Sequence, residues 1–158
     1  MLLIADTGPI ISLLLTEKFG ILENLFPNFL IPQAVWEELC KHQEISVYQN
    51  ELNCLAPKVR KITCHFPISG IERGETEAIL LCHELRADYL LIDDKKAREK
   101  AELLDIKCIG TLGLLFLARQ KGIIGDLRPL FEELLKKQRY YAKSYLNLFL
   151  EKNGEQLI

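Results

Sequence analysis

Apolar positions along the chain fall into short runs that alternate with turn residues. Residues 2–5 (LLIA) are apolar and end at Asp6, Thr7-Gly8-Pro9 supplies turn chemistry, and residues 10–15 are apolar again, which predicts strand, tight loop and helix. ILENLF, between Gly20 and Pro27, predicts a short helix. Residues 29–31 predict a second strand ended by Pro32, and PQAVWEELCK predicts a helix with proline near its first turn. From residue 44 to 67 polarity is mixed, Pro57 and Pro67 act as breaks, and no element is assigned. Beyond Gly70 periodicity returns as a helix over 72–86, a strand YLLID, a helix DKKAREKAELL, a strand IKCIG and a helix TLGLLFLARQKG. Strands alternating with helices in this way predict an α/β fold with a mostly parallel sheet.

The last third, from DLRPLF onward, is helical in composition and interleaves Lys136, Lys137, Arg139 and Lys143 with Tyr140, Tyr141 and Tyr145. Charged stripes generally face water, so the expectation is an amphipathic helix with a solvated basic face. Packing on the sheet, gripping nucleic acid or holding a partner are its other uses.

Length and composition narrow the picture further. A chain of 158 residues that is 49% hydrophobic suits one domain burying roughly two-thirds of its unfolded surface. No apolar run reaches the roughly 18 residues of a membrane span. The apolar start lacks a basic leading region and is interrupted by Asp6, Gly8 and Pro9, so it reads as a buried strand and turn rather than an export signal. The five cysteines (Cys40, Cys54, Cys64, Cys82, Cys108) are then expected as reduced thiols, and the location as cytoplasmic. A net charge of −2 gives no global basic footprint for nucleic acid. An acidic pocket that recruits cations can nevertheless bind phosphates through them.

The candidate chemistry lies in the acids. Ligands of open α/β sheets sit at the carboxyl ends of parallel strands, where Asp6 closes the first strand and Asp93 with Asp94 closes YLLID. Two helices bring further acids: Glu37 or Glu38 on one, Glu75 or Glu77 on the other. Adjacent or next-but-one helical positions point about 100° or 200° apart, so one of each pair should face the pocket. Glu75 is preferred, because Ala78, Ile79 and Cys82 continue an apolar stripe from it, whereas the stripe from Glu77 breaks at Glu84; geometry leaves Glu37 and Glu38 equivalent. Carboxylates about 4 Å apart repel by roughly 1 kcal/mol in water and about 4 at a protein-like dielectric, so such a cluster implies a cation. All-oxygen donors favour Mg²⁺ or Mn²⁺ over zinc. Any one of these acids by itself reads as an ordinary first-turn charge, and the case rests on the set.

LIADTGPIISLL, FLIPQAVWEEL, GETEAILL, LLIDDKKAREKA and IGTLGLL, in this order and spacing, resemble the successive motifs of PIN domains, in particular small prokaryotic predicted nucleases. The resemblance covers residues 1–125 and leaves 126–158 as a C-terminal helical extension packed on the same domain. It implies a three-layer α/β/α sandwich with a short, mostly parallel central sheet. It also implies an acidic set of Asp6, Glu38, Glu75 and Asp94 that binds divalent metal to hydrolyse RNA, with Asp93 as an auxiliary acid. Glu75 stands where many relatives have Asp, and Glu77 is its competitor. Thr7 and Thr111 are similar to hydroxyl residues that support the metal site, although Thr111 before LGLLFLA also suits a helix cap. Many such domains are toxins that dimerise and are inhibited by a small antitoxin inserted into the acidic groove.

Other constellations are weaker. The pairs Cys40 with His42, Cys64 with His65 and Cys82 with His83 lack the spacing of zinc sites, and no phosphate-cradling glycine loop is present. Trp36, beside the Glu37–Glu38 pair, reads as core. A catalytically inactive PIN-like scaffold that binds RNA or protein is the main alternative. A receiver-like signalling domain would need a lone phosphoacceptor Asp and a later strand-end Lys, and no such pairing stands out.

Overall fold

The computed structural model describes residues 1–158. Five short strands and nine helices follow in the order β1 (Leu3–Ala5), α1 (Thr7–Leu15), α2 (Phe19–Leu25), β2 (Ile31–Pro32), α3 (Gln33–Lys41), α4 (Gln49–Leu55), β3 (Val59–Arg60), α5 (Arg73–Leu85), β4 (Tyr89–Leu91), α6 (Lys95–Glu102), β5 (Cys108–Ile109), α7 (Thr111–Gln120), α8 (Leu127–Lys136) and α9 (Lys143–Lys152). Strands β1, β4 and β5 pair in parallel, with Leu3 opposite Tyr89 and Leu91 opposite Ile109. Strands β2 and β3 form a second parallel pair, and Leu30 bridges Ile4, donating to Leu3 O at 2.9 Å and accepting from Ala5 N at 3.0 Å. The two pieces thus make one parallel sheet in the order β3-β2-β1-β4-β5. The chain builds β2 and β3 on one side of β1 and then crosses to build β4 and β5 on the other, so the crevice beyond the ends of β1 and β4 is where such a sheet accepts a ligand.

Alternation along the strands sorts the core into two layers. Leu3, Ala5 and Leu91 join the larger apolar cluster with α1, α2, α3, α7, α8 and α9, whereas Ile4, Leu90 and Ile92 join Ala78, Ile79, Cys82 and Ala97 from α5 and α6. The result is the α/β/α sandwich expected. All five cysteines are free, and no helix is long and apolar enough to cross a membrane.

Three expectations need correction. Thr7-Gly8-Pro9 is the first turn of α1, not a loop, because first-turn amides have no helical partner and proline loses nothing there. The second strand begins at Ile31 rather than Phe29, and ends at Pro32, opposite Arg60. The C-terminal third is two helices rather than one. Gln138 adopts φ 59°, Arg139 N donates to Leu134 O at 2.9 Å and Gln138 N to Leu135 O at 3.0 Å, a Schellman closure that turns the chain after α8. The unassigned stretch holds α4, β3 and two single-turn helices at Gln43–Ile45 and Ala56–Lys58.

Candidate active site

Asp6 directly follows β1 and occupies the position before the first turn of α1, with extended backbone and no side-chain cap bond to the helix. It is only 6% exposed. Burial pushes its carboxyl up to about 7; Glu75, Glu38 and Asp93 add to the rise, and the Thr7 amide opposes it. Across the crevice, β4 runs through Ile92 to Asp93 and Asp94. Asp94 caps α6, its Oδ1 accepting from Ala97 N at 2.8 Å. Asp93 is bound on both oxygens: Oδ1 accepts from Thr111 N at 2.7 Å, and Oδ2 accepts from Thr111 Oγ1 at 2.6 Å and from Tyr141 OH at 3.0 Å. Thr111 is fully buried, so its hydroxyl is committed to Asp93 at the start of α7.

The helical pairs separate cleanly. Glu37 turns to Arg73 at 2.8 Å, while Glu38 accepts a hydrogen bond from Thr7 Oγ1 and lies so close to Gly74 that a Cβ there would stand 2.8 Å from its carboxyl carbon. Glu77 takes Ala34 N at 2.8 Å and Arg73 Nε at 3.3 Å, and faces a different cavity beside Phe66 and His65. Glu75 is the N3 residue of α5 and accepts from Glu72 N at 3.0 Å within a capping box. Burial raises its carboxyl, and the charges of Asp94, Glu72 and Glu38 raise it further. The structure therefore brings Asp6, Glu38, Glu75, Asp93 and Asp94 around one cavity of about 240 Å³ with Thr7 and Glu72, and leaves Glu37 and Glu77 outside it.

Two further participants come from the C-terminal stretch, where the sequence named them without placing them at the acidic site. Arg139 lines this cavity, its Nε donating to Ser12 Oγ at 2.9 Å and its Nη2 to Gly8 O at 3.0 Å. Tyr141 joins Asp93 to Ser12, 3.0 Å from each. Burial, with the charge of Asp93 next, holds its phenol well above the ordinary range. A solvated basic face was the wrong reading for these two side chains, because the turn after α8 swings them inward. The one sequence signal was the mixing of arginine and tyrosine in that stretch.

No group of three or more His, Cys, Asp or Glu side chains is already placed to hold a metal ion. The donor chemistry nonetheless fits one kind of cation. A cavity of about 240 Å³ lined by carboxylate oxygens has room for several waters at about 30 Å³ each. That matches a hard ion that keeps part of its hydration and is shared among carboxylates, some directly and some through water, rather than zinc, whose usual sites carry nitrogen or sulfur ligands.

A family model described as a PIN domain matches residues 2–155. Among solved structures, a PilT N-terminus domain protein from the hyperthermophilic archaeon Sulfolobus solfataricus superposes with a TM-score of 0.50 at 24% identity, over 73% of this chain and 91% of that one, which supports the fold. No curated protein matches the sequence.

Proposed function

The chain belongs to the PIN-domain family, whose members are generally nucleases, and from that premise we propose that it is a metal-dependent endoribonuclease hydrolysing RNA phosphodiester bonds at the acidic cavity. The observation that carries this reading is a buried Asp6 between Glu38, Glu75 and Asp94 at the carboxyl edge of the sheet. A desolvated carboxylate among others is unfavourable without a counter-charge, and Asp6 has no cation as an ion-pair partner.

In this reading Asp6, Glu38, Glu75 and Asp94 would hold Mg²⁺ or Mn²⁺, with Asp93 in support. Such an ion would supply a nucleophilic water near neutral pH and offset charge on the phosphoryl and leaving oxygens. The protein's share is orientation. The Thr7 hydroxyl fixes Glu38, the Glu72 amide fixes Glu75, and the Ala97 amide holds Oδ1 of Asp94, leaving Oδ2 without a protein partner. Asp93, saturated by Thr111 and Tyr141, ties the end of β4 to α7. The resemblance to small prokaryotic PIN proteins extends the proposal to the toxin of a toxin–antitoxin pair, acting as a homodimer and inhibited by a small antitoxin.

The test is incubation of the protein with a fluorogenic mixed-sequence single-stranded RNA in Mg²⁺, Mn²⁺ or EDTA, beside Asp6→Asn. Cleavage is expected with either metal, and none with EDTA or in the variant. The absence of a preassembled three-ligand group favours one second reading, an inactive scaffold; RNA binding by a folded wild type with no metal-dependent cleavage would establish that instead.

A further inference from the structure

The acidic cavity contains one basic side chain, Arg139. Its surroundings are acidic, with six carboxylates lining the same space. Yet it pairs with none of them: no ion pair of the chain includes Arg139. It is held by two neutral acceptors, Ser12 Oγ and the carbonyl of Gly8. These occupy two of the five N–H bonds of the guanidinium. Its backbone is fixed as well, by the Arg139 N to Leu134 O bond that closes α8, and Tyr141 braces Ser12 from the other side.

The geometry points to Arg139 as an anion-binding residue that seats a phosphate of the substrate strand in the acidic cavity. The inference rests on the nuclease reading and adds to it a residue outside the acidic set. An arginine that neutralised the acids would have to leave an ion pair before binding an incoming phosphate. One parked on a hydroxyl and a carbonyl keeps its charge uncommitted, and its remaining N–H groups can meet phosphate oxygens as charge-assisted, fork-like bonds. The need is electrostatic too: a phosphodiester approaching several carboxylates is repelled unless positive charge stands on its side of the cavity. As a residue that would touch substrate and not metal, Arg139 should govern RNA affinity and leave cation affinity unharmed.

The experiment compares wild type, Arg139→Gln and Arg139→Lys for binding of a fluorescein-labelled twelve-nucleotide oligouridine by anisotropy in Ca²⁺. Mn²⁺ affinity by calorimetry, thermal stability, and kcat and KM for cleavage of unlabelled RNA are measured alongside. Arg139→Gln is expected to weaken oligouridine binding by about tenfold or more and to lower the salt slope of binding by about 1. Its Mn²⁺ affinity should be unchanged or tighter, because a nearby positive charge is gone, and Arg139→Lys should fall between the two. A cleaving wild type with Arg139→Gln binding RNA equally well at the same salt slope would overturn the role of Arg139 and leave the nuclease reading intact. Joint loss of RNA binding, Mn²⁺ binding and stability, with no rescue by Arg139→Lys, would also overturn it, as the mark of a structural residue. A folded wild type that neither binds nor cleaves RNA would remove the nuclease reading and this inference with it.

Discussion

Asp6 shows at single-residue scale how the fold accepts an unfavourable group for the sake of its site. Its carboxyl titrates near 7 in the folded chain against 3.8 for the free side chain, chiefly because it is buried. Between those two values the unfolded chain loses this proton first, so folding takes up a proton and stability falls as pH rises through the window. The penalty is complete above pH 7 and is on the order of 4 kcal/mol, at 1.36 kcal/mol per pH unit. Asp6→Asn should therefore be more stable than wild type in EDTA at pH 8, by a melting temperature several degrees higher, with the gap closing toward pH 4. Millimolar Mn²⁺ should shift the comparison back by raising only the wild type, since a ligand stabilises the state that binds it. An equal or lower melting temperature for the variant at pH 8 would mean that Asp6 is not strained by burial. Asp6 itself was legible from its place at the end of an apolar run, as were Asp93 and Asp94. The strain at Asp6 was not, because its burial depends on α1, α5 and the turn after α8 closing over the crevice.

At the scale of elements, α3 and α5 set the two glutamates, and Gly74 is where their approach is closest. A Cβ at that position would reach the Glu38 carboxyl, so Gly74→Ala sets two tendencies against each other. Within a helix the exchange normally stabilises by about 0.5–1 kcal/mol, whereas here it must push Glu38 from its place beside Thr7. The expected outcome is RNA cleavage reduced by tenfold or more with a melting temperature within a few degrees of wild type, measured on the same preparation. Full activity would show that Glu38 has room to move and that its position is not demanding. The longer elements were legible because a period of 3.6 survives over α5, α6 and α7, and a strand of three residues such as β1 or β4 still stands out against flanking turns. Strand β2 was legible from the apolar run at 29–31, whereas β3 is two residues and exists by pairing with β2, which no local pattern records. The break after α8 was hidden for a related reason: Gln138 takes a left-handed conformation usually marked by glycine. Without that mark Arg139 and Tyr141 looked like part of a solvated helix.

On the scale of the whole molecule, the question is whether residues 126–158 are an appendage or part of the domain. Leu127, Leu130, Phe131, Leu134, Leu146 and Leu150 are all buried in the same apolar cluster as β1 and α1. At about 1.5–3 kcal/mol for each fully buried side chain, their loss would remove an amount comparable with the 5–15 kcal/mol by which a domain is usually stable. The segment is also fastened by polar contacts at its own end, where Glu155 accepts from Leu127 N at 2.9 Å and from Arg128 N at 2.7 Å, satisfying amides at the start of α8. A chain cut at residue 125 should therefore lack a cooperative thermal transition, bind a hydrophobic dye and show collapsed amide dispersion by NMR, while full-length protein melts cooperatively. Retention of a cooperative melt within a few degrees of full length would instead make 1–125 a self-sufficient unit. In that event the truncated chain would still lack Arg139 and Tyr141, so its Mn²⁺ affinity and RNA affinity, measured separately, would divide the work of the acidic cluster from that of the segment that closes over it.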